Sequence, residues 1–215
     1  MNPVDISLYA IVDPARSQGR ALPELAARAA EGGVTLVQYR DKTATTRQLV
    51  TNAQAIKDAL APFDVPLLIN DRVDVALAAG AHGVHLGQDD LHPNHARQLL
   101  GDKAIIGLTI KNPGHAHAAP LDLIDYACIG GVFDTLSKDN PTSIGLEGWA
   151  NTAAVFREAA PELPVGAIAG IDATNLAAVI AAGADGAAII SGIFMQDDVT
   201  SAASHLRRII DEVKQ

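Results

Sequence analysis

Three polar side chains with different chemistry follow one apolar segment near the start of the chain. Segment 34–42 begins with apolar and β-branched residues and continues with Gln38, Arg40 and Lys42. Residues two apart share one face of a β-strand, so an amide, a guanidinium and an ammonium would project together from the end of this strand. Such groups combine many hydrogen-bond donors with positive charge, which favours binding of an anion such as pyrophosphate. The alternative is a strand that runs into an ordinary charged loop.

Two aspartates could hold a metal ion beside these cations. Asp71 and Asp90 each follow a short apolar segment. Carboxylates that converge near Arg40, Lys42 and a phosphate suit Mg²⁺, a hard cation that prefers oxygen ligands. Cysteine and histidine spacing typical of zinc sites is absent from the sequence. The competing explanation is that each aspartate caps the helix that begins after it; the nearby cations favour the metal site.

Two glycine-containing turns near the end of the chain could bind a second phosphate. Turns 169–171 and 191–193 each place a glycine after a short apolar segment. They resemble the paired phosphate-binding turns common in barrels, where backbone N–H groups contact the phosphate without a charged side chain. Glycine allows a ligand to approach the main chain closely, and Ser191 adds a hydroxyl donor. The alternative is a pair of ordinary tight turns.

Strand-like and helix-like segments alternate along the whole chain. The predicted strands are 7–12, 34–42, 65–69, 83–86, 104–108, 124–129, 165–168 and 186–190. The predicted helices are 22–31, 45–60, 73–79, 93 to about 101, 114–119, 149–160, 173–182 and 201–213. Eight such βα units without a linker predict an α/β fold, a single-domain (β/α)8 TIM barrel over residues 1–215. An open doubly wound sheet is the alternative.

The barrel would gather the polar residues at one rim. Active sites of TIM barrels lie at the carboxyl ends of the strands, where the βα loops meet. The residues that follow the predicted strands and would share this rim are Gln38, Arg40, Lys42, Asn70, Asp71, Asp90, Thr109, Thr135, Ser137, Lys138, Gly170 and Ser191. The αβ turns at the other end are mostly Gly, Ala and Pro. This asymmetry is more informative than any single motif.

Composition excludes several classes of protein. The chain has 215 residues, of which 48% are hydrophobic and 19% charged, as in globular proteins. A formal charge of −9 argues against nonspecific nucleic-acid binding. The sequence has neither a signal-peptide pattern nor an apolar run long enough to span a membrane, so we expect a soluble cytoplasmic protein. These totals leave a homo-oligomer open.

Covalent catalysis is not supported by the sequence. Ser, His and acidic residues do not occur at a recognisable nucleophile spacing. His85 lies within a strand pattern, and we expect it to be a core histidine. The single cysteine, Cys128, excludes an internal disulfide and indicates a reducing compartment. Its position within a strand predicts a buried, inert thiol.

With these residues in place, the chain resembles thiamine phosphate synthases over nearly its whole length. The motifs that carry the resemblance are Gln38-Tyr-Arg40-Asp-Lys42, Asn70-Asp71-Arg72-Val-Asp74-Val-Ala76, Gly83-Val-His-Leu-Gly-Gln-Asp-Asp90-Leu, Phe133-Asp-Thr135-Leu-Ser137-Lys138 and Gly183-Ala-Asp-Gly186. Several motifs in the right order on eight βα units form a specific signature. The family joins a pyrimidine methyl diphosphate to a thiazole phosphate and produces thiamine phosphate and pyrophosphate.

The resemblance implies a role for each matching residue. It implies catalytic roles for Arg40, Lys42, Thr109 and Lys138. The implied ligands of the pyrimidine diphosphate are Gln38, Tyr39, Arg40, Asp41, Lys42, Asn70, Thr109 and Lys138. Those of the thiazole phosphate are Thr135, Leu136, Ser137, Gly170, Ile190 and Ser191. Asp71 and Asp90 would bind Mg²⁺. The implied reaction is dissociative: pyrophosphate leaves, and the thiazole nitrogen attacks a pyrimidine methyl cation.

The sequence departs from the family pattern at five places. Gly130-Gly131 and Asp134 replace Gly-Pro and Pro around the phenylalanine loop, and Ser137 replaces a threonine. Thr109-Ile110-Lys111 stands where serine, a small residue and histidine are common, and Ala169-Gly170-Ile171 replaces Gly-Gly-Ile. Each change keeps the hydrogen-bond donor or the backbone role. The Gly, Ser, Asp and Pro content of loop 134–147 suggests an active-site lid.

Two other functions remain as alternatives. A related thiazole tautomerase would share the thiazole-phosphate site without needing the diphosphate and metal cluster. A noncatalytic sensor of a phosphorylated ligand would bind without releasing pyrophosphate. The cations of segment 38–42 and the two aspartates favour the synthase.

Overall fold

The strands close into a barrel. The structure, a computed structural model, describes residues 4–134 and 143–215. Its strands are β1 (Leu8–Val12), β2 (Leu36–Tyr39), β3 (Leu67–Asn70), β4 (Gly83–Leu86), β5 (Ile105–Ile110), β6 (Tyr126–Gly130), β7 (Val165–Ile168) and β8 (Gly186–Ile189). Each strand pairs in parallel with the next, and β8 pairs with β1. The predicted TIM barrel is confirmed.

Helices surround the sheet. They are α1 (Leu22–Glu31), α2 (Thr46–Leu60), α3 (Val73–Ala79), α4 (Pro93–Leu100), α5 (Pro113–Ala118), α6 (Gly145–Ala159), α7 (Leu176–Ala181), α8 (Ser191–Phe194) and α9 (Val199–Val213). In the ranges 4–134 and 143–215, no helix combines the length and apolarity needed to cross a membrane.

Helix α2 shows how the local sequence specifies an element. Thr45 is its N-cap: the side chain accepts a hydrogen bond from the backbone of Gln48, whose side chain accepts one from the backbone of Thr45. This capping box satisfies donors that the first turn would otherwise leave unpaired. The buried residues of the helix are Leu49, Ala53, Ile56 and Leu60, the apolar set at helical spacing. The predicted and observed helices therefore agree.

Two predicted strand ends differ from the structure by more than one residue, and both lie near the rim. The second strand ends at Tyr39 instead of continuing to position 42, so Arg40 and Lys42 belong to the loop that follows. The fifth strand continues to Ile110 and includes Thr109, which was expected to follow it. In addition, α8 lies in a segment where no helix was predicted. Polar residues and glycine were poor indicators of strand ends, because residues at the rim can be polar whether they lie inside a strand or after it.

The core has two layers. The larger one lies between the sheet and the helices. The smaller one fills the barrel interior with Tyr9, Ile11, Leu36, Leu68, Tyr126, Cys128 and other buried residues. The interior has room for the ring of Tyr126 because Gly107 faces it: a Cβ at Gly107 would lie 2.1 Å from Tyr126 Cζ. A side chain at position 107 would therefore displace the tyrosine.

One contact recurs at the amino ends of alternate strands. The residue just before each even-numbered strand makes two hydrogen bonds with one residue at the start of the preceding strand. Its backbone N–H donates to the carbonyl of that partner, and its side chain accepts a hydrogen bond from the backbone N–H of the same partner. The four residues are Thr35, His82, Asp125 and Asp185, which bind Leu8, Leu67, Ile106 and Val165. We call them strand clamps. The contact repeats once per pair of βα units, at the end of the barrel opposite the predicted site.

Candidate active site at the carboxyl ends of the strands

The first half of the site contains the predicted cations. Arg40 forms an ion pair with Asp13, and the two side chains are 26% and 7% exposed. Asp13 also accepts a hydrogen bond from the backbone N–H of Ala15 at 2.8 Å, so its carboxylate is fixed at the end of β1. Lys42 forms an ion pair with Asp71 and remains 54% exposed. One cation is therefore held firmly by a buried partner, and the other stays open to solvent.

The two predicted metal ligands lie side by side. Asp71 adopts a left-handed backbone conformation (φ +61°), and its N–H donates to the carbonyl of His85 at 2.9 Å. Asp90 accepts a hydrogen bond from the Gly87 N–H at 2.7 Å. Burial and a hydrogen bond with Asp71 raise the pKa of Asp90 above its usual value. Two carboxylates this close repel each other when both are charged, which a bound cation would relieve.

The alternative that the aspartates cap helices is wrong. The N-cap of α3 is Arg72, which makes no side-chain capping bond. The N-cap of α4 is His92, whose ring accepts a hydrogen bond from the backbone of Asn94. Asp71 and Asp90 are thus placed at the rim by the ends of β3 and β4 without a capping role. Among the described residues, no group of three or more His, Cys, Asp or Glu side chains forms a metal site.

Tyr39 and Asp41 support the loop between β2 and α2. The Tyr39 ring is buried in the layer between sheet and helices, and its hydroxyl contacts Asn52 and Asp41 at 3.0 and 3.2 Å. Burial raises the pKa of Tyr39 to about 12. Asp41 accepts hydrogen bonds from the backbones of Thr43 and Ala44, at 2.9 and 3.0 Å. Both side chains are engaged within the protein, so their predicted contacts with a ligand would come from the main chain.

Gln38, Asn70 and Thr109 connect the rim to the barrel interior. Gln38 is buried, and its amide contacts the Tyr9 hydroxyl. Asn70 is the last residue of β3 and is partly exposed. Thr109 Oγ1 lies 2.9 Å from His85 Nε2, and the Thr109 carbonyl accepts from Gln88 Nε2 at 2.6 Å. Neighbouring strands β3, β4 and β5 thus place a set of polar groups beside the carboxylates.

The second half of the site consists of the two glycine turns. Gly170 has φ +64°, and a Cβ there would lie 2.5 Å from the Asp134 carbonyl oxygen. Ala169, just before it, also has a positive φ of +95°. A Cβ on Gly192 would lie 3.4 Å from Asp172 Cα, so the turns after β7 and β8 are in contact. Helix α8 begins at Ser191, directly after Ile190. The two turns are therefore neighbours at the rim, and phosphate binding by them stays a prediction.

Several predicted residues lie outside the described part of the chain. These residues are Thr135, Leu136, Ser137 and Lys138. The lid prediction for loop 134–147 rests mostly on the same segment. The assignments of these residues therefore stay predictions.

Asp13, Gln88 and the structural role of His85 were not predicted from the sequence. Asp13 follows β1 as Asp71 follows β3, and this position in the chain was the available signal. Its significance comes from the ion pair with Arg40, across two paired strands. His85 is a core histidine, as expected, but it bonds to Thr109 at the rim. Cys128 is buried, as predicted, and burial raises the pKa of its thiol to about 12.

Comparison with known proteins decides the family. The sequence model of the thiamine monophosphate synthase family matches residues 8–193, from β1 into α8. The chain belongs to this family. A thiamine-phosphate synthase from Agrobacterium fabrum is 54% identical over 212 residues, which cover 98% of this chain and 96% of that protein. A thiamine-phosphate synthase from Azorhizobium caulinodans is 44% identical over 211 residues, 98% of this chain and 97% of the other.

A solved structure agrees with this family assignment. Thiamine phosphate pyrophosphorylase from Pyrococcus furiosus superposes with a TM-score of 0.86 and 33% sequence identity. The match covers 99% of this chain and 98% of that one. The family resemblance inferred from the motifs is confirmed, and it extends over the whole barrel.

Proposed function

We propose that this chain is a thiamine phosphate synthase. It condenses 4-amino-2-methyl-5-(diphosphooxymethyl)pyrimidine with a thiazole phosphate and forms thiamine phosphate and pyrophosphate. The observation that carries the proposal is one rim on which Arg40, Lys42 and the Asp71–Asp90 pair lie together. The support from relatives is full-length similarity to thiamine-phosphate synthases, up to 54% identity. The reaction makes the protein a transferase of thiamine biosynthesis.

The cationic half of the rim would bind the diphosphate. Asp13 holds the Arg40 guanidinium at the end of β2, which reduces the entropy lost when it binds a phosphate. Lys42 is more exposed, and its side chain is long and flexible. Its ammonium group can therefore leave Asp71 and bind a phosphate oxygen instead. Gln38, Asn70 and the main chain of Tyr39 and Asp41 would complete the contacts. Lys138 would add a third cation from the loop after β6.

Asp71 and Asp90 fit a magnesium ion. They are two adjacent carboxylates on a rim with cations, and Mg²⁺ is commonly bound by one or two carboxylates together with substrate phosphates. When bound, the ion would neutralise charge on the diphosphate and on the departing pyrophosphate. The ion would also relieve the repulsion between the two carboxylates, which adds to the effect of burial in raising the pKa of Asp90. Asp71 lies at the end of β3 with a left-handed backbone conformation.

The residues present can support a dissociative reaction. Arg40, Lys42 and Lys138 would stabilise negative charge as it develops on the leaving pyrophosphate. The thiazole nitrogen is itself the nucleophile, so the reaction needs neither a protein nucleophile nor a strong base. The enzyme's contribution is therefore positioning and electrostatic stabilisation. This accounts for a site built from cations, carboxylates and hydroxyls.

The glycine half of the rim would bind the thiazole phosphate. Gly170 has the positive φ that favours glycine, and the contacting turn at Ile190 and Ser191 supplies backbone N–H groups and a hydroxyl. Thr135, Leu136 and Ser137 would complete this half from the loop after β6. The two phosphorylated substrates would then meet over the barrel mouth, each with its phosphate on a different side. The lone buried thiol of Cys128 is compatible with a reducing, cytoplasmic compartment.

Product identification tests the proposed function. Purified protein is incubated with the pyrimidine diphosphate, the thiazole phosphate and Mg²⁺, and the mixture is analysed by chromatography and mass spectrometry. We expect thiamine phosphate only when both substrates are present. Isomerisation of the thiazole phosphate without condensation would identify a tautomerase, and unchanged substrates that nevertheless bind would identify a sensor. Either result would overturn the synthase.

A further inference from the structure

The loop that follows β1 contacts the segment that follows β8. These two strands are paired in the barrel, so segments 13–21 and 190–198 lie side by side at the rim. Arg20, near the end of the first segment, reaches across to the second. Its Nη1 donates to the Gln196 carbonyl at 3.0 Å, and its Nη2 donates to the Phe194 carbonyl. One guanidinium thus joins parts of the chain that are 174 and 176 positions apart.

The Arg20 guanidinium is held in place by its own loop. Its Nε donates to the Ser17 carbonyl at 3.1 Å, and the backbone N–H of Arg20 donates to the same carbonyl at 3.1 Å. Ser17 is buried, and its hydroxyl donates to the Pro14 carbonyl at 2.9 Å. The chain then turns through Gln18 and Gly19, which have positive φ values of +54° and +75°. The loop therefore presents the guanidinium in one direction, toward the end of α8.

Helix α8 is too short to be stable without contacts to the rest of the protein. It has four residues, which form a single turn. The last carbonyls of a helix lack partners within the helix, and an arginine beside them satisfies these acceptors. Ile193 and Phe194 are buried and anchor one side of the turn by packing. Hydrogen bonds are directional, so those from Arg20 also fix the orientation of the turn.

The same helix begins at the proposed thiazole-phosphate site. Ile190 and Ser191, which are assigned to this phosphate, are the N-cap and the first residue of α8. The Phe194 N–H donates to the Ile190 carbonyl at 2.9 Å, so the residue that Arg20 holds is bonded directly to the site. A Cβ on Gly192 would lie 3.4 Å from Asp172 Cα, so α8 also contacts the turn after β7. A displaced α8 would therefore disturb this whole half of the rim.

We propose that Arg20 is a positioning residue that acts through α8 to hold Ile190 and Ser191 in the arrangement that binds the thiazole phosphate. This inference rests on the proposed function, which assigns these two residues to that phosphate. In this role Arg20 binds main-chain carbonyls and does not touch the substrate. The loop that carries Arg20 begins at Asp13, which pairs with Arg40, so one loop supports both halves of the rim.

Steady-state kinetics with each substrate varied in turn tests this role. Arg20→Met keeps a long side chain and removes its hydrogen-bond donors, so we expect the KM for the thiazole phosphate to rise about tenfold. The phosphate takes no part in the bond changes, so kcat and the KM for the pyrimidine diphosphate should stay within about twofold of the wild-type values. Arg20→Lys keeps the charge without the planar fork and should give an intermediate KM. An unchanged KM for the thiazole phosphate, or equal rises in both KM values, would overturn the proposal.

A control variant separates positioning from general loss of stability. Arg97 also binds main-chain carbonyls, but near the starts of β5 and β6: it donates to Ala104 at 2.6 Å and to Leu123 at 3.0 Å. We expect Arg97→Met to lower the Tm while leaving both KM values near those of the wild type. A rise in the KM for the thiazole phosphate that matches the rise in Arg20→Met would assign the effect to stability and contradict the proposal.

Amide hydrogen exchange of the full chain provides a readout that does not require activity. We expect peptides that cover residues 190–196 to exchange faster in Arg20→Met than in the wild type, and no such change in Arg97→Met. Equal exchange in Arg20→Met and the wild type would refute the inference even if thiamine phosphate is formed.

The proposed function can fail separately from this inference. Absence of thiamine phosphate with the wild type would refute the proposed function, and the Kd of the thiazole phosphate, measured by calorimetry, would then decide the role of Arg20. Weaker binding by Arg20→Met than by the wild type would support positioning through α8. Equal binding by the two proteins would overturn it.

Discussion

At the scale of single residues, the site depends on a few side chains that adopt conformations the sequence does not reveal. Asp71 and Ala169 both have positive φ values, +61° and +95°. Aspartate tolerates the left-handed region better than most residues, whereas a Cβ makes this region unfavourable for alanine. Asp71 therefore adopts this conformation at a lower cost than most residues would. Ala169 carries strain beside Gly170 at a position where the family usually has glycine.

Asp71→Asn tests the metal half of the site with little change in shape. Asparagine also adopts the left-handed region, so the fold and the Tm should be nearly unchanged. We expect turnover to fall by orders of magnitude because one carboxylate ligand and the partner of Lys42 are lost together. The measurement is kcat at saturating Mg²⁺. Asp74→Asn is the matched control, since Asp74 is 59% exposed and pairs only with Arg72 in the described structure.

Near-normal turnover in Asp71→Asn would remove the proposed metal site. Equal losses in Asp71→Asn and Asp74→Asn would show that the effect is not specific to the carboxylate pair.

Ala169→Gly should stabilise the protein. Alanine in the left-handed region costs on the order of 1–3 kcal/mol, and glycine would relieve this strain. Part of the stabilisation, about 0.4–1 kcal/mol, is lost because glycine gives the unfolded chain more conformational freedom. We expect a net increase of about 1 kcal/mol in the free energy of unfolding, measured by denaturant titration. Ala178→Gly is the control, because Ala178 lies within α7 and should lose about 1 kcal/mol. Lower stability in Ala169→Gly would show that the turn holds Ala169 without strain.

Residue types alone predicted part of the site. Gln38, Asp71, Asp90 and Thr109 could be assigned to the candidate rim because polar groups at or just beyond the ends of apolar strands are unusual and must meet at one rim. Asp13 could not, because its importance comes from the Arg40 ion pair across paired strands. The links that His85 makes likewise depend on which interior side chains face each other, and this register is not visible in a single sequence.

At the scale of elements, the spacing of apolar residues and the positions of turn residues were enough to predict most helices and strands. The predicted bounds of α1, α3, β4 and β7 agree with the structure to the residue. Errors occur where function or tertiary contacts override local preference, as at the end of β2. The strand clamps are another example: Thr, His and Asp share no local preference, but each can accept a hydrogen bond from the preceding strand.

The His82 clamp should make stability depend on pH. Burial, and then the charge of Lys57, lower the pKa of His82, and its Nδ1 accepts a hydrogen bond from the Leu67 N–H. The unfolded chain therefore binds a proton at a higher pH than the folded protein does. As the pH falls below about 6.5, the ordinary pKa of histidine, the free energy of unfolding should decrease.

Replacing His82 by the residue type of another strand clamp isolates the contribution of His82 to the pH dependence of stability. His82→Asp keeps an acceptor for Leu67 N–H, as Asp125 and Asp185 do for their partners. We expect His82→Asp to lose less stability than the wild type between pH 7 and pH 5, measured by urea titration at each pH. An equal loss in both proteins would show that protonation of His82 does not contribute.

At the scale of the whole molecule, the order of the strands in the barrel explains how the candidate site is assembled. Eight parallel strands in sequence order close a barrel, and closure brings all carboxyl ends to one rim. Residues from position 13 to position 192 meet there although they are far apart in the sequence. This topology was predictable from the alternation of strands and helices. Which rim groups pair before substrate binds was not, because it depends on distances between loops.

The central claim is that this rim converts two phosphorylated substrates into thiamine phosphate with release of pyrophosphate. The most direct measurement is the rate of pyrophosphate release by the purified protein. We expect release when the pyrimidine diphosphate, the thiazole phosphate and Mg²⁺ are all present, and a large decrease when the metal is chelated by EDTA. Release at the same rate without the metal would contradict the role of Asp71 and Asp90, and no release with all three present would contradict the synthase itself.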